Sequence, residues 1–383
     1  MSDRIAGALL LSAYGDAAGL PHEAGGGLDG EAGDPAREPL PVVDTFREAA
    51  AEPWGVWFPP EETAGLRGVV SDDTATKIRL TEPWLRSRPD RWAPEARDAL
   101  GGFGARAEPD RSGEFRAWLA DLVRPDPPRP VPEVAAAQAS DWIAMFAAQE
   151  ARTPGRTVFY EPGVPVVFGP FLYQGLALSP ASAAAPLKRV FDRFAGICAL
   201  DEGIAKSVTG VFAALTAAAV DAPHDAVPFD PWLRGTLEHL RGVVRGSPGA
   251  DELVGRIDGL LGVRSLGGDP EAFLAWMKSG LYDHPERAPR HGLKPFDSLL
   301  QLSQVLACLL HGRGDAAATM AVATNVPGDA DTVAASLGLI LGAWHGRDAL
   351  MNSGLAGGLA AVGATTQRLF GVALSERVAA YTP

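Results

Sequence analysis

Gly328-Asp329-Ala330-Asp331-Thr332-Val333-Ala334-Ala335-Ser336-Leu337-Gly338-Leu339-Ile340-Leu341-Gly342-Ala343-Trp344-His345-Gly346 is the stretch on which the reading of the fold turns. Two carboxylates and a hydroxyl crowd its start, and an apolar run follows. That run is too short for a bilayer, which needs about 20 apolar residues, and too long for an ordinary strand. It reads as a core helix over 332–344. His345-Gly346 closes it with a basic residue in the last turn and a glycine stop. His311-Gly312 ends another apolar run in the same way, so both histidines read as helix ends and not as metal ligands.

Outward from this helix the chain reads as all-α. Ala, Leu, Arg and Glu dominate the periodic segments, and alternating Val/Ile/Thr runs are scarce. Helices are predicted at 3–19, 73–86, 94–100, 114–123, 133–150, 184–219, 232–244, 251–261, 271–278, 295–310, 316–323 and 374–380, besides 332–344. The 184–219 segment contains Gly196, Gly203 and Gly210, so one helix or two are both open. Segments 25–67 and 153–180 are rich in Gly, Pro and aromatics, the second with room for a short strand pair, and 125–132 is a Pro-rich connector. With no sharp shift in composition, one domain over 1–383 is expected. Its insertions are placed at 25–67, 125–180 and 221–291.

Lys plus Arg number 34 against 47 Asp plus Glu, a net charge of −13 over 383 residues. Such a chain repels phosphate backbones and anionic membranes, so neither nucleic acid nor membrane is an expected partner. The two cysteines, Cys198 and Cys308, sit in apolar runs and read as reduced core residues. The apolar segment 5–13 resembles a signal-peptide core, but its basic flank is minimal and Asp16 interrupts it; an amphipathic helix of a mature, cytoplasmic protein is expected.

There is no phosphate-binding Gly-x-x-x-x-Gly-Lys loop, no Gly-x-Ser-x-Gly elbow and no HExxH pair. What stands out is a set of carboxylates in three places: Gly15-Asp16-Ala-Ala-Gly19-Leu-Pro-His-Glu23, Ser71-Asp72-Asp73-Thr74 and Gly328-Asp329-Ala330-Asp331-Thr332. Each alone has a plain explanation, since Ser or Asp before a helix caps orphan backbone N–H groups. Together they supply four carboxylates and two hydroxyls at two helix starts. If those starts face each other, the all-oxygen set suits Mg²⁺ or Mn²⁺ and not zinc.

In residue type and order, these three motifs resemble those of the ADP-ribosylglycohydrolase family, the ADP-ribosyl-acceptor hydrolases that include the dinitrogenase-reductase-activating enzymes. The resemblance implies an orthogonal all-α bundle with two divalent ions, Mg²⁺ first, in a central cleft. It implies that Ser71, Asp72, Asp73, Asp329, Asp331 and Thr332 ligate the metals. Glu23 and Asp73 would then be the catalytic carboxylates, and Asp16 would hold the turn before Glu23. The implied substrate is an ADP-ribosyl group on a small molecule or protein, cleaved from its acceptor at the ribose C1″. The family's middle Gly-Asn-Gly…Met-Arg segment has no match; the nearest stretch runs from Phe168 to Pro180. Hydrolysis of another ribosylated metabolite, or ADP-ribose binding without catalysis, therefore stand as alternatives. Trp54, Trp57, Phe168 and Tyr173, in the aromatic loops, and Gly328 are the expected substrate contacts.

Overall fold

In the computed structural model, residues 1–20, 63, 65–82, 174–197, 203–263, 268–277, 298–326 and 328–382 are described. Among them every regular element is helical. The organising pair is α1 (Ser2–Gly19) and α11 (Ala330–His345). They lie antiparallel and nearly in backbone contact. A Cβ at Gly15 would fall 2.3 Å from the Ala334 carbonyl oxygen, and one at Gly342 would fall 2.4 Å from that of Gly7. Small residues stand at multiples of four positions on one row of each helix (Gly7, Gly15 and Gly19, with Leu11 between the first two; Ala334, Gly338 and Gly342), which thins one ridge of side chains and lets the axes close up. From Ile5 to Ala17 every residue of α1 is buried. The segment read as an amphipathic helix is a core helix, because partners cover all its sides.

Three further helices complete this interior. They are α5 (Ile204–Val220), α9 (Ser298–Gly312), buried along its whole length, and the short α10 (Ala316–Ala323). Around them pack α2 (Asp72–Thr76), α3 (Pro180–Ala183), α4 (Leu187–Ile197), α6 (Phe229–Val243), α7 (Ala250–Gly262) and α8 (Pro270–Met277). The chain closes with α12 (Arg347–Met351), α13 (Ala356–Phe370) and α14 (Leu374–Tyr381). Polar groups tie the ends. Arg4 Nη1 donates to the Val220 carbonyl at 2.5 Å at the end of α5, and Asp348 N donates to Asp3 Oδ1 at 3.0 Å at the start of α12. No helix of the described residues is long and apolar enough to cross a membrane.

Several expectations change. The 184–219 segment holds separate helices, α4 and α5, with Gly203 at φ +55° on the N-cap of α5. The helix expected at 73–86 is a short α-turn that widens into a π-turn over Lys77–Thr81. Residues 174–178, in the stretch with room for a strand pair, form a 3₁₀ turn. No helix is among the expected ones at 356–370, where α13 runs despite Gly357, Gly358 and Gly363 within it. The expected helices at 94–100, 114–123 and 133–150 lie outside the described residues. Cys308 is a free thiol whose pKa burial pushes up, and Cys198 is outside the described residues.

Candidate metal and active site

Antiparallel packing sets the C-terminal end of α1 against the N-terminal end of α11. A Cβ at Gly19 would lie 2.5 Å from Asp331 Cα. Helix α2 starts at the same place. The Asp16 carboxylate leaves α1 and accepts hydrogen bonds from Ser71 N at 2.7 Å and Thr74 N at 2.8 Å. It thereby satisfies two orphan donors of α2 and favours the helix dipole. Ser71 is the N-cap of α2, its Oγ accepting from Asp73 N at 3.3 Å. The cap reading thus holds for Ser71, and Asp16 joins α1 to α2; the turn before Glu23 that it was expected to hold lies outside the described residues.

Asp329 behaves otherwise. It occupies the N-cap position of α11 but makes no side-chain cap. Its Oδ2 accepts from Gln301 Nε2, on α9. Asp73 and Thr332 meet across the cleft, with Thr332 Oγ1 donating to Asp73 Oδ2 at 2.9 Å, a contact between residues 259 apart in sequence. Asp331 Oδ1 accepts from Thr332 N at 2.9 Å. Gly328, at φ +95°, turns the chain into the motif in a conformation that side chains avoid, and its carbonyl accepts from Ala330 N.

Asp16, Asp73, Asp329 and Asp331 are all buried. Burial first, then the charges of Asp329 and Asp73 and a hydrogen bond shared with the Asp329 carboxyl, hold Asp331 well above the usual carboxylate range. Burial also raises Asp16, against the opposing effects of its Thr74 and Ser71 hydrogen bonds and the Lys77 charge. So much buried negative charge is costly without a counter-ion. The donors present, carboxylate and hydroxyl oxygens, fit a hard divalent cation. Among the described residues no three His, Cys, Asp or Glu side chains are already arranged as an ion's cage. Hydrogen bonds from Thr332 and Gln301 engage oxygens of Asp73 and Asp329 instead.

Asp72 is the first residue of α2, and its side chain is outside the description. Glu23, Trp54, Trp57, Phe168 and Tyr173 also lie outside the described residues. Gln174, just past the aromatic loop, is buried, its Nε2 donating to Thr216 Oγ1 and to the Ser336 carbonyl. Two site residues escaped the sequence reading. Gln301 belongs with Ser298, Ser303 and Gln304, polar positions inside an otherwise apolar run, and that misfit was the available signal. Lys77 follows Asp73 by one helical turn, and its Nζ donates to the Asp73 carbonyl at 3.0 Å.

No curated protein matches the chain. Among solved structures, one titled "ADP-ribosylglycohydrolase-related protein complex" is similar at 20% identity and a TM-score of 0.51, covering 96% of this chain and 98% of that one. At that identity the likeness speaks for the fold. The family model described as ADP-ribosylglycohydrolase matches residues 1–378. With nearly its whole length inside that match, the chain belongs to the ADP-ribosylglycohydrolase family.

Proposed function

We propose that this glycosidic hydrolase depends on divalent metal and releases a ribosyl group, in the simplest case ADP-ribosyl, from a small-molecule or protein acceptor. The observation that carries the reading is the Thr332–Asp73 hydrogen bond, which brings two distant acidic motifs to one buried point. Ser71, Asp72, Asp73, Asp329, Asp331 and Thr332 would hold two cations, Mg²⁺ before Mn²⁺. Bound there, the ions would supply positive charge that grips vicinal ribose hydroxyls and offsets charge developing as the bond breaks.

The chain's own part is positional. Asp16 fixes the start of α2 through two backbone N–H groups, so Ser71 and Asp73 cannot drift from α11. Gln301 orients Asp329. Glu23, four residues past the end of α1, is assigned either to one cation in a closed state or to acid–base work beside the scissile bond. The aromatic loops with Trp54, Trp57, Phe168 and Tyr173 are assigned to base stacking, and Gly328 to close approach by the ribose.

The test is calorimetry with Mg²⁺ and Mn²⁺, together with turnover of ADP-ribosyl-arginine, ADP-ribosyl-serine and a ribosyl substrate without the diphosphate. Asp331→Asn is expected to lose cation binding and Glu23→Gln to lose kcat more than affinity. Undiminished cation binding in Asp331→Asn refutes the site. Turnover only of the diphosphate-free substrate would move the assignment to another ribosylated metabolite.

A further inference from the structure

The two halves of the carboxylate cluster are not equally charged. Lys77 is almost wholly buried on the α2 side, its Nζ 4.0 Å from Asp73 Oδ1 and 3.0 Å from the Asp73 carbonyl oxygen. Its charge also favours ionised Asp16. On the α11 side, the charges that raise Asp331 are, among the described residues, those of the carboxylates Asp329, Asp73 and Asp16. An ammonium is thus built into one half of the cluster, one helical turn after Asp73, where the chain widens into its π-turn. Such turns are frequent at functional sites.

Taking the metal reading above as its basis, we propose that Lys77 is a resident monovalent counter-charge that makes the centre unequal. Asp329 and Asp331 hold one divalent cation tightly, and a second beside Asp73 is held much more weakly. The physical reason is Coulombic. A dication liganded by Asp73 would stand within a few ångströms of the ammonium, and at that range in a partly screened interior the repulsion is worth well over a tenfold loss of affinity. At the Asp329–Asp331 half the same cation meets carboxylates first. Lysine suits this task, being a compact point charge on a flexible stem.

The experiment counts Mn²⁺ on the full chain, with Mn²⁺ alone as probe, by calorimetry and by electron paramagnetic resonance. The expected parent pattern is one tight ion and a second at least about tenfold weaker. Lys77→Met should bring the second ion to an affinity comparable with the first, and Lys77→Arg should retain the parent pattern. Lys77→Gln serves if the methionine variant does not fold, and the inequality in the parent needs no variant. Asp331→Asn should remove the tight ion. Two equally tight ions in the parent, or a second ion no tighter in Lys77→Met and Lys77→Gln than in the parent, would overturn the inference while leaving the metal centre standing. No Mn²⁺ bound by parent or variants would overturn both.

Discussion

A single methyl group at Gly19 tests whether the close approach of α1 to α11 builds the site. The added Cβ would lie 2.5 Å from Asp331 Cα, 2.6 Å from Asp331 N and 2.7 Å from the Ala330 carbonyl oxygen. All three atoms are backbone, so no side chain can swing aside. Normal contact needs about 3.5 Å, so the helix ends must part by roughly 1 Å. Overpacking of this kind costs about 1–3 kcal/mol, and the gain in helix propensity is at most about 1 kcal/mol. Gly7→Ala is the control. Its Cβ would meet the Gly342 carbonyl oxygen at 2.5 Å, a clash as severe but about 18 Å away along α1. Both variants should lose comparable stability in urea denaturation. Only Gly19→Ala should weaken Mg²⁺ or Mn²⁺ binding in calorimetry below the melting transition, because only it displaces Asp331 from Asp73. Equal cation affinity in the two variants would refute the argument that backbone approach at this end sets the carboxylate geometry.

Two further outcomes rest on other contacts. Arg377, on α14, holds buried Glu82 through Nε at 3.0 Å and Nη2 at 3.0 Å. Arg377→Met removes the guanidinium from that buried carboxylate, which keeps the Tyr381 hydroxyl at 3.4 Å, and should cost about 3–5 kcal/mol in urea denaturation, with most of it restored in the Arg377→Met/Glu82→Leu double variant; an Arg377→Met cost under about 1 kcal/mol would show the pair to be solvated. Burial lowers the His345 pKa from 6.5, against the hydrogen bond to the Gly314 carbonyl and the Asp315 charge. Its stabilising share is therefore complete above 6.5 and is lost as pH falls through the lower folded-state value. Unfolding free energy measured from pH 7.5 down to 5 should decline less in His345→Gln than in the parent, and identical slopes would contradict the assignment.

The helical class was legible because periodicity is a local property. Predicted 316–323 coincides with α10, and predicted 374–380 falls within one residue of α14. The long glycine-containing segments were harder to read. Helix α13 carries three glycines, Gly357, Gly358 and Gly363, and packing holds it. Val362 joins Ala13, Ala17 and Val70 in a buried cluster, and Thr365 Oγ1 donates to the Arg67 carbonyl at 2.6 Å. Propensity counts those glycines against a helix, and tertiary burial outweighs that count.

For the site, sequence alone determined which residue types stand at two helix starts, since Ser71, Asp73, Asp329, Asp331 and Thr332 are adjacent or nearly so within their motifs. It also determined that Gly15 and Gly19 accompany Asp16, though not what they do. Only the tertiary structure decided that those glycines are the surface on which α11 lies, that Thr332 reaches Asp73 across 259 residues, and that Gln301 and Lys77 enter the cluster. The physical reason is that helix periodicity relates residues three or four apart. Which helix faces which depends on where backbones can close up, and that is settled by side chains missing at Gly7, Gly15, Gly338 and Gly342, acting together only once both helices are in place.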